Sequence, residues 1–292
     1  MTVTTHPARG PNVAPNKKQS EAWNGGESVH YVAHADRYDR QLVPFTEALL
    51  EQVRLTPHRA LLDVGCGCGA LTLAAARIAD SAVGIDISAP MTEVASERAR
   101  TAQMDNVEFV VADAQTYAFA PGTFDLVVSQ FGLMFFDDPV GAFSNLRRSL
   151  APGGRLAFVS WQGLPANEWL TVIASEVAKR VETPEFGGIS KGPGMFALKD
   201  QDETTALLEA AGFTDVTFES LAPTILIGGG GTVDQSMEFL LGMGMARGLV
   251  SLAGTDAHDK MVEAVRLSLT ERYEPGVGVR FGGGAWMVTA FS

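Results

Sequence analysis

Between residues 60 and 160 the chain alternates two hydrophobic periods. Short apolar runs at Leu61–Val64, in the SAVGIDIS segment beginning at Ser81, at Val107–Val111, at Phe124–Ser129 and at Arg155–Ser160 read as strands. Between them lie segments of helical period. Ala70–Ala79 is Ala/Leu-rich, Met91, Val94, Ala95, Ala99 and Ala102 recur on one face, and Val140, Phe143, Leu146 and Leu150 do the same. Strand alternating with helix predicts a parallel sheet buried on both faces. Ser88 with Pro90, and Asp137-Asp138-Pro139, mark helix starts, and Ala151-Pro152-Gly153-Gly154 turns the chain into the fifth strand.

The flanks follow other patterns. Residues 1–20 are rich in Thr, Pro, Asn and Lys without apolar periodicity and read as a disordered tail. Residues 21–57 read as a helical cover: Trp23 precedes a Gly25-Gly26 break, Val29, Val32, Ala33 and Leu42 suggest one helix, and a second runs from about Pro44 to Val53. Residues 58–292 form the main domain, with two segments longer than the sheet needs, 161–199 and 228–280. The first holds a helix over about 166–182 and a Gly/Pro-rich loop. A helix over 201–211, a Gly212 stop and a strand carrying Val216 and Phe218 follow. Gly228–Gly231 then reads as a flexible break before helices over about 232–249 and 257–272, and GGGAWMVTAF closes the chain as a strand.

Candidate chemistry concentrates at Leu61–Thr72, LLDVGCGCGALT. A strand, a turn with Gly65, Gly67 and Gly69, and a helix bring backbone N–H groups up to a ligand. The spacing also fits Gly65-x-Gly67-x-x-Ala70 of dinucleotide-binding turns. Asp86, at the end of the second strand, is placed to accept hydrogen bonds from two ribose hydroxyls in either case. Cys66 and Cys68 lie inside the turn. Without a neighbouring Cys/His pair they read as small side chains filling it, not as metal ligands.

Composition narrows the partners. The chain has 292 residues, 46% of them hydrophobic, and a net charge of −12 with no Lys/Arg run. Nucleic acid and anionic lipid are therefore disfavoured. The first residues lack the apolar core of a signal peptide, and no stretch is long enough to span a bilayer. A cytoplasmic protein acting on a small molecule is the expectation.

Four features in order, Asp63–Gly69, Asp86, Asp113-Ala114 and Phe124–Gly154, resemble class I S-adenosylmethionine-dependent methyltransferases. Asp63 before the glycines matches D/E-x-G-x-G-x-G, and Leu150-Ala151-Pro152-Gly153-Gly154 between helix and strand is a second signature. The resemblance is to the small-molecule group related to ubiquinone/menaquinone-biosynthesis enzymes, the type 11 methyltransferases. WNGGESVHYVAHADRYDRQL and the Trp286-containing end resemble members from actinomycete secondary metabolism. The N/D-P-P-Y of amino-methylating DNA enzymes is replaced by Ser129-Gln130-Phe131-Gly132.

The resemblance implies a Rossmann-like α/β fold: a seven-stranded sheet finished by an antiparallel hairpin, a helical N-terminal cover, and inserts capping the acceptor. It implies S-adenosylmethionine as cofactor. Asp63, Gly65, Cys66, Gly67, Gly69, Asp86, Ile87, Met91, Asp113, Ala114 and Ser129 would hold it, with Trp23, Tyr31 and Tyr38 lining its mouth. Phe131, Met134, Phe135, Trp161, Phe196, Met237, Met243 and Met245 make the acceptor region apolar. The expected reaction is methylation of a carbon or oxygen of a bulky, mostly apolar, aromatic molecule such as an indole alkaloid, quinone or polyketide. His30 and His34, four residues apart on one helical face, are the candidate general bases; no metal is expected, since a third ligand is missing. A nicotinamide-dependent oxidoreductase and a non-catalytic cofactor-binding module remain as alternatives, and the Met/Leu-rich C-terminal excursion leaves a homodimer open.

Overall fold

The computed structural model describes residues 16–56, 60–179, 192–252 and 255–292. Its centre is a sheet of seven strands: β1 (Ala60–Val64), β2 (Ser81–Asp86), β3 (Val107–Val111), β4 (Phe124–Gln130), β5 (Leu150–Trp161), β6 (Thr214–Leu221) and the last strand, β10 (Ala285–Phe291). The order is β3-β2-β1-β4-β5-β10-β6; β1 to β5 are parallel, and β10 runs antiparallel between β5 and β6. The order reverses between β1 and β4, which opens a crevice at their carboxyl ends. Leu61, Leu62, Leu126, Val127, Val128, Leu156, Ala157 and Phe158 are buried, as an apolar strand covered on both faces requires.

The N-terminal segment departs from expectation in two places. Helix α1 (Lys17–Trp23) begins inside the segment read as a tail; residues 1–15 lie outside the described residues. Helices α2 (Gly26–Ala33) and α3 (Ala35–Leu55) divide at His34 instead of near Pro44, and Pro44 sits inside α3. Burial of Leu42, Phe45, Leu49, Leu50 and Val53 on one face holds α3 together across the proline.

Helix α4 (Ala70–Ala75) follows the glycine turn, α5 (Ala89–Thr101) follows β2, and α6 (Pro139–Ser149) follows β4. Asp138 caps α6, accepting from Gly141 N at 3.0 Å. Val140 is exposed, not inward, and Leu150 belongs to β5. Helix α7 (Glu168–Ala178) and residues 192–199 are the described parts of the first insert; the loop over 180–191 lies outside the described residues. Helix α8 (Gln201–Ala210) leads into β6.

The second insert is a small unit. Strands β7 (Thr224–Leu226), β8 (Tyr273–Glu274) and β9 (Gly278–Gly282) form a sheet in the order β7-β9-β8, beside α9 (Val233–Gly242), α10 (Gly244–Leu252) and α11 (Thr255–Glu271). The single helix expected over 232–249 breaks at Met243, whose backbone is extended.

Gly228–Gly231 is clamped to α3, not a free break. Gly228 N donates to Gln41 Oε1 at 2.7 Å, Arg37 Nε donates to Gly228 O at 2.9 Å, and Arg40 Nε donates to Gly229 O at 3.3 Å. Such close approach needs glycine: a Cβ on Gly228 would lie 2.9 Å from Phe239 Cγ and collide with the Arg37 guanidinium, at a φ of +59°. Gly228→Ala is expected to destabilise the protein by about 1–3 kcal/mol, the range for strained backbone with lost packing, read as a lower denaturation midpoint. A midpoint equal to wild type would show that the clamp carries no stability.

Candidate functional site

A cavity of about 580 Å³ opens at the carboxyl ends of β1 to β5, between the sheet, the N-terminal helices and the cap. Its floor is the glycine turn. Gly65 (φ +71°) N and Cys66 N both donate to Ile85 O, at 2.8 and 3.2 Å, tying the turn to β2. Gly65 crosses Gly132, where a Cβ would sit 2.8 Å from Gly132 Cα. Gly67 (φ +54°) lines the cavity and faces only the Met91 methyl.

Asp86 organises the next wall. Its Oδ2 accepts from Gly67 N at 2.8 Å and its Oδ1 from Ser88 N at 2.8 Å. Burial pushes its carboxyl up, opposed by the N–H groups of Ser88, Gly67 and Ile87. The Ser88 hydroxyl does not cap α5; it donates to Trp23 O at 2.5 Å. Asn24 Nδ2 donates to Ile87 O at 3.0 Å and Asn24 Oδ1 accepts from Ala89 N at 3.0 Å. The end of α1 is thereby laced to the turn after β2.

After β3, Asp113 Oδ1 accepts from Asn16 Nδ2 and from Gln115 N, both at 2.9 Å. Asn16 Oδ1 in turn accepts from Asp137 N at 2.8 Å, so Asn16 spans the turns after β3 and β4. Asp63 is buried; its Oδ2 accepts from Thr72 Oγ1 at 2.6 Å. Asp63 Oδ1 and Asp113 Oδ2 are buried in this wall without a hydrogen-bond partner among the described residues. Two unpaired carboxylate oxygens beside a glycine cradle fit a ligand that carries amino groups and a ribose.

The mouth is aromatic. Tyr31 and Tyr38 stack at 3.7 Å with 5° between their planes, and Trp23 meets Tyr31 and Phe135 edge-on at 6.1 and 5.6 Å. Opposite, Phe131 and Trp161 stack at 3.9 Å with Phe45 edge-on to both, and Trp169 packs on Trp161. Phe131 has a φ of +61°, a costly conformation for a bulky residue, at the loop that crosses Gly65.

Most of the residues expected at the site line this cavity: Trp23, Tyr31, Tyr38, Asp63, Gly65, Cys66, Gly67, Asp86, Ile87, Met91, Asp113, Ala114, Phe131, Met134, Phe135, Trp161 and Met243. Burial raises the Cys66 thiol well above its usual range and the Cys68 thiol to about 12, so both stay protonated fillers of the turn.

Others have different positions. Ser129 is fully buried and holds β4 to β1, its Oγ donating to Val64 O at 2.7 Å. Gly69 packs against Ala95 and Phe109 at the start of α4. Phe196 and Met237 belong to the core, and the side chain of Met245 lies outside those described. Neither His30 nor His34 lines the cavity. They stand behind Tyr38, with ring centroids 4.6 Å apart, and His30 Nδ1 bonds the Tyr38 hydroxyl at 2.9 Å. Burial, then His34, Arg247 and Arg37, lower His30 to about 4, so it is neutral at pH 7. Among the described residues no cluster of three or more His, Cys, Asp or Glu side chains could hold a metal, and no helix is long and apolar enough to cross a membrane.

Asn16, Glu27, Asp39, Gln41, Gln130, Trp169 and Met195 also line the cavity and were not anticipated. Gln130 was within reach, since it ends β4 beside Phe131. Asp39 and Gln41 flank Tyr38 on α3, where a helical wheel centred on the tyrosine would have found them.

Burial pushes the Asp63 carboxyl up to about 7, with Thr72 opposing and Asp86 adding. The unfolded chain releases this proton near pH 4 and the folded protein only near 7, so stability falls as pH rises between them. Asp63→Asn is expected to remove that slope, worth at most about 4 kcal/mol across the window. Urea denaturation at pH 4.5 and 7.5 measures it; equal slopes in both proteins would place the strain elsewhere.

A methyltransferase-domain family model matches residues 62–158. The demethylmenaquinone methyltransferase of Clavibacter sepedonicus is 31% identical over 173 residues, covering 57% of this chain and 70% of that one. The phosphoethanolamine N-methyltransferase 1 of Triticum aestivum is 33% identical over 177 residues, 60% of this chain. The match spans only about a third, 32%, of that plant relative's length. Among solved structures, the YcgJ protein of Bacillus subtilis shares the fold, with a TM-score of 0.57 at 16% identity, covering 85% of this chain and 97% of that one. With its β3-β2-β1-β4-β5-β10-β6 sheet and glycine turn, the chain belongs to the class I S-adenosylmethionine-dependent methyltransferases, in the type 11 group.

Proposed function

We propose that this chain methylates a carbon or an oxygen of a bulky, planar, mostly apolar acceptor. The observation that carries this reading is the makeup of the cavity wall. Phe131, Trp161, Trp169, Met134, Met195 and Met243 line the half beneath the cap, and no Lys, Arg or His lines any of it among the described residues. Glu27, Asp39, Asp63, Asp86 and Asp113 do line it. A phosphorylated acceptor, of the kind named for the wheat relative, would bring two negative charges against carboxylates with no cation to pair them. An apolar ring system in the manner of the Clavibacter relative's quinone meets no such penalty.

In this reading Asp86 receives the cofactor's ribose hydroxyls. Asp113 Oδ2 and the backbone at Ala114 receive the adenine edge, Asp63 Oδ1 takes an amino group, and Trp23 and Tyr31 close the mouth. When bound, the cofactor supplies a methyl group already activated on a sulfonium. The chain's own residues then need only position and enclose. Held in near-attack geometry, two reactants gain roughly 7–11 kcal/mol of the barrier. The stacked Phe131–Trp161 pair sits where β4 and β5 end, beside the Gly65–Gly132 crossing, and so sets the acceptor ring against the glycine turn while excluding water.

Two outcomes test it. Release of S-adenosylhomocysteine is expected with planar aromatic acceptors such as naphthols and hydroxyindoles, and none with phosphoethanolamine; turnover with phosphoethanolamine alone would overturn the reading. Asp86→Ala is expected to weaken S-adenosylmethionine roughly a hundredfold or more, the loss of two hydrogen bonds to a charged group. The same change frees Gly67 N–H and Ser88 N–H, so a lower melting temperature should accompany it. Undiminished affinity in a calorimetric titration would remove Asp86 from the site.

A further inference from the structure

Three side-chain N–H donors on the cavity wall have no protein acceptor among the described residues. Gln41 is buried and lines the cavity. Its Oε1 is taken by Gly228 N at 2.7 Å, and because a backbone N–H can only donate, the amide orientation is fixed and Nε2 is the end left over. Gln130 lines the cavity from the end of β4 against Thr46, whose single hydroxyl proton lies within reach of both Gln130 Oε1 and Leu42 O. Its Oε1 accepts from Thr46 Oγ1 at 2.9 Å, and its Nε2 has no partner among the described residues. Trp169, 2% exposed, also lines the cavity, and its Nε1–H is buried with no acceptor. These N–H groups share the cavity wall with rings, thioethers and the Glu27 carboxylate, which pairs with Arg247 of the cap. The Trp169 Nε1–H is a buried donor with no acceptor among the described residues, which costs stability, and with the two amides on the same cavity wall it fits a ligand atom that accepts.

We propose that Gln41 and Gln130, with Trp169 beside them, form a recognition site for an oxygen of the acceptor: a carbonyl, or a phenol or enol oxygen in its ionised form. The proposal rests on the apolar, planar acceptor argued above and adds which functional group that acceptor carries. An amine would meet donors with donors. A hydrocarbon would leave all three unpaired. An oxyanion is stabilised by each. The site also accounts for a cavity wall without histidine among the described residues. Donors aimed at an ionised oxygen lower the pKa of the bound O–H, and the O–H bond then breaks with its electron pair kept on oxygen and its proton passed to solvent. The ring atom conjugated to that oxygen, or the oxygen itself, becomes the nucleophile without a dedicated base.

The test uses the full chain with S-adenosylhomocysteine present and two probes of matched shape, 1-naphthol and 1-naphthylamine. Gln41→Glu keeps an acceptor for Gly228 N–H and loses the donor; Gln130→Met loses a donor without adding charge. In wild type, 1-naphthol is expected to bind at least tenfold more tightly than the amine, with its ionisation, followed by fluorescence, moved to lower pH on binding. Each variant should weaken 1-naphthol roughly tenfold, the loss of one hydrogen bond to a charged partner, move its ionisation back up, and leave binding of S-adenosylhomocysteine unchanged. Equal affinity for the two probes, or variants that bind 1-naphthol as wild type does, would overturn the oxygen site while leaving the apolar acceptor standing. Failure of both probes to bind would overturn the apolar acceptor and this proposal with it.

Discussion

The carboxylate of Asp86 is the constraint on which the site depends. One oxygen holds Gly67 N–H, fixing the glycine turn after β1; the other holds Ser88 N–H, fixing the start of α5. Ser88 then passes its hydroxyl to Trp23, and Asn24 closes on Ile87 and Ala89, so one acidic side chain sets the position of three chain segments. These backbone donors also keep a largely enclosed carboxylate ionisable against the cost of its burial. The same atoms that shape the turn are those a ribose would meet. Structure and binding therefore cannot be separated at this residue.

A second bracket fixes the other half of the cavity. Gly228–Gly231 adopts positive φ throughout and lies against Arg37, Arg40 and Gln41 of α3. The cap is thus held by the same helix that presents Tyr38, Asp39 and Gln41 to the cavity. Glu27 on α2 adds an ion pair with Arg247 on α10 at 2.9 Å. That pair is partly exposed and contributes little alone. The buried contacts along α3 carry the attachment.

The sheet was legible because its signal is local and repeated. Five apolar runs separated by helical faces and glycine turns admit few other folds, and the positions facing the turn, Asp63, Asp86 and Asp113, are set by where strands end. Less local features were not legible. Pro44 is tolerated because the face bearing Phe45 and Leu49 is buried, a tertiary fact that overrides a local breaker. Gly228–Gly231 reads as loose in isolation, and only the arginines of α3, nearly two hundred residues earlier, make it rigid. His30 and His34 have the spacing of a catalytic pair, yet they pack behind Tyr38, because a helix face can turn toward a core as readily as toward a cavity. Asn16 carries no sequence signal at all; its role comes from reaching both Asp113 and Asp137.

The cavity divides by charge as well as by shape. Asp63, Asp86 and Asp113 gather around the glycine turn and the ends of β2 and β3, where a ligand bearing a sulfonium and an ammonium group is the electrostatic complement, while Glu27 and Asp39 of the N-terminal helices are paired with Arg247 and Arg98. The half beneath the cap offers rings, thioethers and N–H donors. On the functions proposed, that division has a mechanistic reason. A cationic methyl donor and an anionic acceptor attract each other across a dry space, and the attraction is stronger there than in water because the effective dielectric is lower. Each must also be held on its own side by groups of opposite character, or the two would pair in an unproductive orientation. Acidic side chains near the acceptor oxygen would raise its pKa, and basic ones near the turn would repel the donor. The absence of basic side chains from the wall, together with amide and indole N–H groups as neutral donors, satisfies both requirements with a chain whose net charge is −12.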